Sequence, residues 1–243
     1  MNTALIALAT VAALLTSTIS GVIGMAGGAM LLVLLLSFGM SAATVIPLHA
    51  AVQLASNASR VIAFLPHVRW RPFAAMAITA SPFPLLGLWL ISLLNPDHVQ
   101  VVIGCFILVA VWLPSWRVQK LSEPIAFAIA GVLGGTLGVV IGTVGPLIAP
   151  FFLRPSFNRH QIIATKAICQ SYLHILKIIA FSTVGFSFGE QWPILLPMIV
   201  AAICGTYVGR WFVGRITEKR FRQAYRIALS LLALKLISTA VIS

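Results

Sequence analysis

Acidic side chains are almost missing from this chain. Its 243 residues hold four of them (Asp97, Glu123, Glu190 and Glu218) against sixteen Lys and Arg, a formal net charge of +12. Charged residues of either sign make up 8% of the chain, about a third of the share in ordinary soluble domains. So little charge cannot keep a soluble enzyme of this size dissolved. Cysteine is scarce as well: Cys105, Cys169 and Cys204 are odd in number and set in apolar runs. That excludes a secreted disulfide scaffold, and the three read as small buried hydrophobes. What the chain has instead is apolar residues, 60% of the total. These proportions describe a polytopic membrane protein. The basic excess is then of the kind that cytoplasmic loops collect, not a nucleic-acid surface.

A hydrocarbon core ~30 Å thick needs about 20 apolar residues to cross it. Residues 44–66, 73–94, 99–116, 161–188, 192–213 and 221–242 each supply such a run. Residues 1–20 lack a basic leader and flow into more apolar sequence, so they read as membrane structure and not as a signal peptide. Two longer stretches, 3–38 and 122–153, contain glycine-rich breaks, Gly21 to Gly28 and Gly134 to Pro146. A helix folding back at each break would make a hairpin of two short helices. Charge placement favours that reading. With both hairpins returning, Arg69, Arg71, Arg117, Lys120, Arg154, Arg159, Arg210, Arg215, Lys219, Arg220 and Arg222 all fall on one face. Both termini then lie outside. Trp70, Trp112, Trp116, Trp192 and Trp211 sit near segment ends as an interfacial belt would, with Trp89 the exception.

A shift of 117 or 118 residues lays one half of the chain on the other. Gly24 and Gly27 fall on Gly142 and Gly145; His49, Gln53, Asn57 and Arg60 fall on Lys166, Gln170, His174 and Lys177. A returning hairpin plus three crossings is an odd number, so the halves 1–120 and 121–243 have opposite orientations. The expected fold is therefore all-α, with two inverted-topology repeats, a common plan of secondary transporters.

His49, Gln53 and Asn57 share one helical face at i, i+4 and i+8, as do Lys166, Gln170 and His174, with Lys177 close to the next turn. At 1.5 Å per residue Gln53 lies ~14 Å inside one end of its helix and Gln170 about as far inside the opposite end of its own. Inversion would bring both to the bilayer midplane. Polar groups at that depth are costly unless partnered, and they face a cavity or another helix. Packing between helices is the plainer alternative for the amides. Arg60 and Arg226 read as snorkelling toward the cytoplasmic surface, whereas Lys177 and Lys235 lie deeper. No metal-ligand spacing surrounds His49 or His174, no nucleophile motif occurs, and no cofactor is implied.

Glycine-broken backbone inside a membrane must line a cavity or be buried in protein, and helix N-termini attract anions. Gly24, Gly27 and Gly28 in one break, with Gly142 and Gly145 in the other, are candidate anion-binding backbone. No Asp or Glu lies inside a predicted membrane segment, so the site should be neutral to positive and suit a small anion. Gln53 and Gln170 are the expected hydrogen-bond donors, Lys166 and Lys177 the source of positive potential, and His49, Asn57 and His174 the lining.

The breaks Gly21-Val-Ile-Gly24-Met-Ala-Gly27-Gly28 and Gly138-Val-Val-Ile-Gly142-Thr-Val-Gly145-Pro146, the duplicated halves and the size resemble the TauE/SafE family of membrane permeases, also called sulfite exporters. The resemblance covers nearly the whole chain. It implies bacterial inner-membrane transport of sulfur-containing anions such as sulfite, sulfoacetate, other organosulfonates or thiosulfate. The expected function is a secondary transporter, with an anion channel or a proton-coupled importer of thiosulfate or sulfate as alternatives. The expected partners are the anion and the lipid bilayer, with a homodimer left open.

Overall fold

The computed structural model describes residues 2–23, 27–112, 118–211 and 218–242; Gly24, Trp116, Arg117 and Arg215, singled out above, lie outside the described residues. The described chain is helical, with no strand. Its helices are α1 (Thr3–Ile23), α2 (Gly27–Ser37), α3 (Ala42–Phe64), α4 (Trp70–Ala80), α5 (Phe83–Ser92), α6 (Pro96–Trp112), α7 (Glu123–Ile141), α8 (Gly145–Phe152), α9 (Arg159–Thr183), α10 (Trp192–Trp211) and α11 (Glu218–Ile242).

Among the described residues four helices are long and apolar enough to cross a membrane: α1 over Thr3–Gly21, α7, α9 and α10. Taken as one span, α4 and α5, bent by 46°, bring the number to five. Residues 73–94 were expected as one continuous crossing. Pro82 and Pro84 break it, because proline lacks an N–H for the preceding turn and its ring crowds the carbonyl one turn back. At 23 residues α3 is long enough to span. Its His, Gln, Asn and Arg, turned inward, lower its hydropathy.

Glycines set how the helices pack. Along α1 and α10, a side chain on Gly21 would meet the Thr206 carbonyl oxygen at 2.8 Å and Gly209 Cα at 3.0 Å. A second seam is built alike. There, α7 lies along α4 and α5, with Gly135 against the Ala80 carbonyl at 2.7 Å and Gly87 against the Thr136 carbonyl at 2.7 Å. Gly134, Gly135 and Gly138 therefore lie within α7, not in a break as expected. Gly134 and Gly135 serve close packing, and the interruption is confined to Gly142–Val144. Between the two seams α3 packs on α9, and α6 packs on α11.

One end of the bundle is basic. Arg69, ahead of α4, pairs with Glu123 of α7 at 3.7 Å, donates to the Ser156 carbonyl at 3.3 Å and lies over the Phe157 ring at 5.0 Å. His67 stacks on His160 at 5.1 Å, and Arg210 of α10 lies 5.3 Å over Phe64. The bundle surface is apolar, with Ile62, Ile78 and Leu85 each at least 70% exposed, as a face toward lipid requires. Cys105 and Cys204 belong to that surface, so of the three cysteines expected to be buried only Cys169 is. Lys235, expected to lie deep, is exposed as well.

Gly21→Val places a branched side chain against the α10 backbone. Overpacking of this kind costs about 1–3 kcal/mol, so the melting temperature of the purified protein should fall. An unchanged melting temperature would contradict the close α1–α10 approach.

Candidate functional site

The site is built on α3 and α9. Ser41 caps α3 by accepting from the Thr44 N–H at 3.3 Å. Asn158 and Gln161 form a capping box at the start of α9, with bonds of 2.9 and 3.1 Å. The helices run antiparallel: Phe64, at the end of α3, stacks on His160, at the start of α9, at 5.9 Å, and midway along them His49 meets His174 edge-on at 5.7 Å. An i, i+4 polar stripe on each helix thus faces its counterpart, and the apolar remainder faces outward.

Two broken helices point into this seam. Gly28, at the start of α2, lies so close to α3 that a Cβ there would stand 3.3 Å from the Gln53 amide and 3.5 Å from His49 Nε2. The Gly28 carbonyl accepts from His49 Nε2 at 2.8 Å. A carbonyl cannot donate, so Nε2 carries the proton. Gly145, at the start of α8, holds the corresponding place beside Gln170, whose Nε2 is 3.4 Å from a Cβ added there. Before α8 the chain turns at Gly142, whose φ of +81° suits glycine. The Gly142 carbonyl accepts from Lys177 Nζ.

These groups enclose a cavity of about 30 Å³, room for about two waters. Of the residues singled out from the sequence, His49, Gln53, Lys166, Gln170, His174, Lys177, Gly28 and Gly145 line it together. Others stand behind it. Asn57 is buried and donates from Nδ2 to the Gln53 carbonyl at 2.8 Å. Gly27 packs against Thr16 and Ser20 of α1. Gly142 supports the lining through Lys177. Ser20 and Thr143, not singled out from the sequence, contribute hydroxyls. A lone hydroxyl in an apolar run carries no periodic signal, although Thr143 falls inside the second glycine break.

Arg60 departs from the snorkelling expectation. It is buried, and its guanidinium bonds back along α3 to Asn57 and Ser56. Arg226, nine residues into α11, lies 5.4 Å over the ring of Trp112, the last residue of α6.

Gln53 Nε2, His49 Nδ1 and His174 Nδ1 are buried without a hydrogen-bond partner. Leaving such a group unpaired costs about 1–3 kcal/mol, so the cavity is built to hold something polar. The four acids occupy helix starts and connections, and among the described residues no acid lines the cavity. Among the described residues no cluster of three His, Cys, Asp or Glu could hold a metal. Ser171 Oγ, three residues before His174, has no hydrogen-bond partner and forms no dyad with it. The arrangement can donate hydrogen bonds and positive potential to an anion.

A second cavity, of about 830 Å³, opens at the end away from Arg69. Leu36 of α2, Ala42 and Ala43 of α3, and Phe181 of α9 are in its wall. One turn deeper on the same helices are Leu32, Ile46 and Lys177. Gly142 packs against Leu32 and Ile46, at 2.8 and 3.0 Å from a Cβ placed on it. Leu32, Ile46 and Gly142 thus pack together one turn in from the wall of the larger cavity.

An apolar helical bundle around a polar cavity at the tips of two broken helices, with no acid among the described residues of its lining, is the build of a polytopic membrane protein. The family model described as Sulfite exporter TauE/SafE matches residues 9–236, and the chain belongs to that family. Membership implies a membrane transporter of sulfur-containing anions. Searches among curated proteins and solved structures gave no match.

Gly142→Ala should destabilise the protein, because alanine at φ +81° is strained by about 1–3 kcal/mol and its methyl would press on Leu32 and Ile46. Thermal unfolding with and without sulfite measures the effect. A variant as stable as the parent would contradict the turn described at Gly142.

Proposed function

We propose that the protein is a secondary transporter that exports a small sulfur-containing anion such as sulfite, sulfoacetate or another organosulfonate across the bacterial inner membrane. The observation that carries this reading is the cavity between α3 and α9. Two amides, two buried lysines and two histidines converge there, the Gln53 donor is unpartnered, and no carboxylate is among the described residues of the lining. In this reading Gln53 and Gln170 donate to the anion, while Lys166 and Lys177 supply positive potential. Asn57 orients Gln53 through its backbone, and the α2 and α8 starts at Gly28 and Gly145 bring N–H groups to the ligand.

The two halves, 1–120 and 121–243, are read as inverted repeats with both termini periplasmic. Several observations favour this. The pairing of α1 with α10 and of α7 with α4–α5 exchanges under such a symmetry, and α3–α9 and α6–α11 map onto themselves. Arg69, Arg154 and Arg210 lie at the ends of α4, α8 and α10 that meet at the basic end, which a cytoplasmic placement suits.

A cavity with room for about two waters is smaller than an anion of three oxygens around sulfur needs. The structure thus fits a contracted state of a carrier better than an open channel. Loading the site requires the α2 or α8 tip to draw back, with Gly142 as a hinge. The 830 Å³ opening is then the outward vestibule, closed from the site by Leu32 and Ile46. Export needs no coupled ion, since moving one negative charge out of a negative interior gains ~2.3 kcal/mol per 100 mV.

Gln53→Ala and Gln170→Ala each remove a donor to a charged ligand, worth about 1.5–3 kcal/mol. Each should raise KM for labelled sulfite flux about tenfold to a hundredfold, with protein of unchanged melting temperature. Wild-type KM in the double variant would overturn the site assignment.

A further inference from the structure

Arg60 carries a charge that the cavity residues leave unexplained. It stands two turns beyond Gln53 on α3, on the way to the basic end, and is 3% exposed. A snorkelling arginine there would reach toward His67. This one points the other way: Nη1 donates to Asn57 Oδ1 at 3.1 Å and Nη2 to Ser56 Oγ at 2.7 Å. Helical side chains lean toward the N-terminus of their helix, and in α3 that direction is the bundle interior.

The guanidinium is held from two sides. Ser56 Oγ lies 2.9 Å from Thr206 Oγ1 of α10, and Asn57 is tied to the Gln53 carbonyl at 2.8 Å. These contacts are all with neutral oxygens. Among the described residues the ion pair is Arg69–Glu123, which leaves Arg60 without a carboxylate. Arg60 Nε is buried with no partner. Guanidinium keeps its proton inside proteins, so it cannot escape the cost of burial by neutralising. Lys166, which lines the cavity, lies within electrostatic reach and adds charge of the same sign. Buried positive charge of this kind is stable only beside an anion.

We propose that Arg60, held by Ser56 and Asn57, is a second anion-binding position on the basic-end side of the cavity, where a sulfur oxyanion or sulfonate is bound before it reaches Gln53 and Gln170. The inference rests on the transport reading above and adds a stage to it. Two of the five guanidinium N–H groups are used by Asn57 and Ser56. Nε–H and the remaining Nη hydrogens are left for a planar, two-oxygen grip that lysine cannot reproduce.

The test uses the full chain in proteoliposomes of known orientation, with labelled sulfite supplied to either face. Arg60→Gln should raise KM about tenfold or more from the face carrying Arg69 and less than about threefold from the other. Arg60→Lys should recover part of the loss. Ser56→Asp keeps the variant foldable by placing a carboxylate against the guanidinium; it should raise KM from the same face while the melting temperature holds or rises. KM unchanged in these variants, or raised equally from both faces, would overturn the assignment and leave Arg60 a structural residue. Saturable wild-type flux with unchanged Arg60 variants refutes this position alone, whereas absence of wild-type flux refutes the transport reading and the position with it.

Discussion

Positive charge buried on α3 and α9, two helices that hold no carboxylate of their own, is the constraint on which the rest of this structure depends. Arg60, Lys166 and Lys177 are each no more than 3% exposed, and they lie on the two helices that cross the middle of the bundle. Such groups cannot face lipid, where an ion is expensive, so the polar faces of α3 and α9 must turn toward each other. That orientation leaves the opposite faces apolar and places His49 against His174. Part of the basic excess noted in the composition gathers at one end of the bundle, and part is a small buried group at its centre. The second is what a site for anions requires.

The backbone answers a related constraint. A helix that stops inside a membrane leaves polar groups that need partners. At the second interruption a side chain supplies one, Lys177 Nζ donating to the Gly142 carbonyl, and in the first turn of α2 His49 Nε2 donates to the Gly28 carbonyl. The same residues that line the cavity thus hold the broken helices in place. Occupancy of the cavity and position of the hairpin tips are then coupled through few bonds. A carrier that closes over its ligand needs such coupling.

Much of this was legible in the sequence, because the relevant signals are periodic. Polar residues at i, i+4 and i+8 in an apolar run define one face, and that face is where His49 and Gln53, Gln170 and His174 are found. The paired glycine breaks foretold the two tips beside the glutamines, although Gly134, Gly135 and Gly138 proved to be helical. A glycine run reads alike whether it ends a helix or lets a neighbouring helix approach, and only the contacts of Gly135 with Ala80 and of Gly134 with Leu173, 2.7 Å from a Cβ placed on it, decide. The bend at Ser81 followed from Pro82 and Pro84, which sit in a run apolar enough to look continuous. Arg60 was misread for a different reason. Its depth allowed snorkelling, but the lean of helical side chains toward the N-terminus carries it inward. Ser20 and Thr143 had no pattern to mark them and became visible only when distant segments met.

The central claim is that a sulfur-containing anion passes through the α3–α9 cavity by a carrier mechanism driven by its own charge. Flux of labelled sulfite, sulfoacetate, thiosulfate and sulfate through proteoliposomes, with the membrane potential clamped and then reversed, tests this most directly. The account predicts saturable movement of at least one of these anions away from the negative side, a change of direction when the potential is reversed, and exchange of label in counterflow. Flux that ignores the sign of the potential, shows no counterflow, or is absent for all four anions would contradict it.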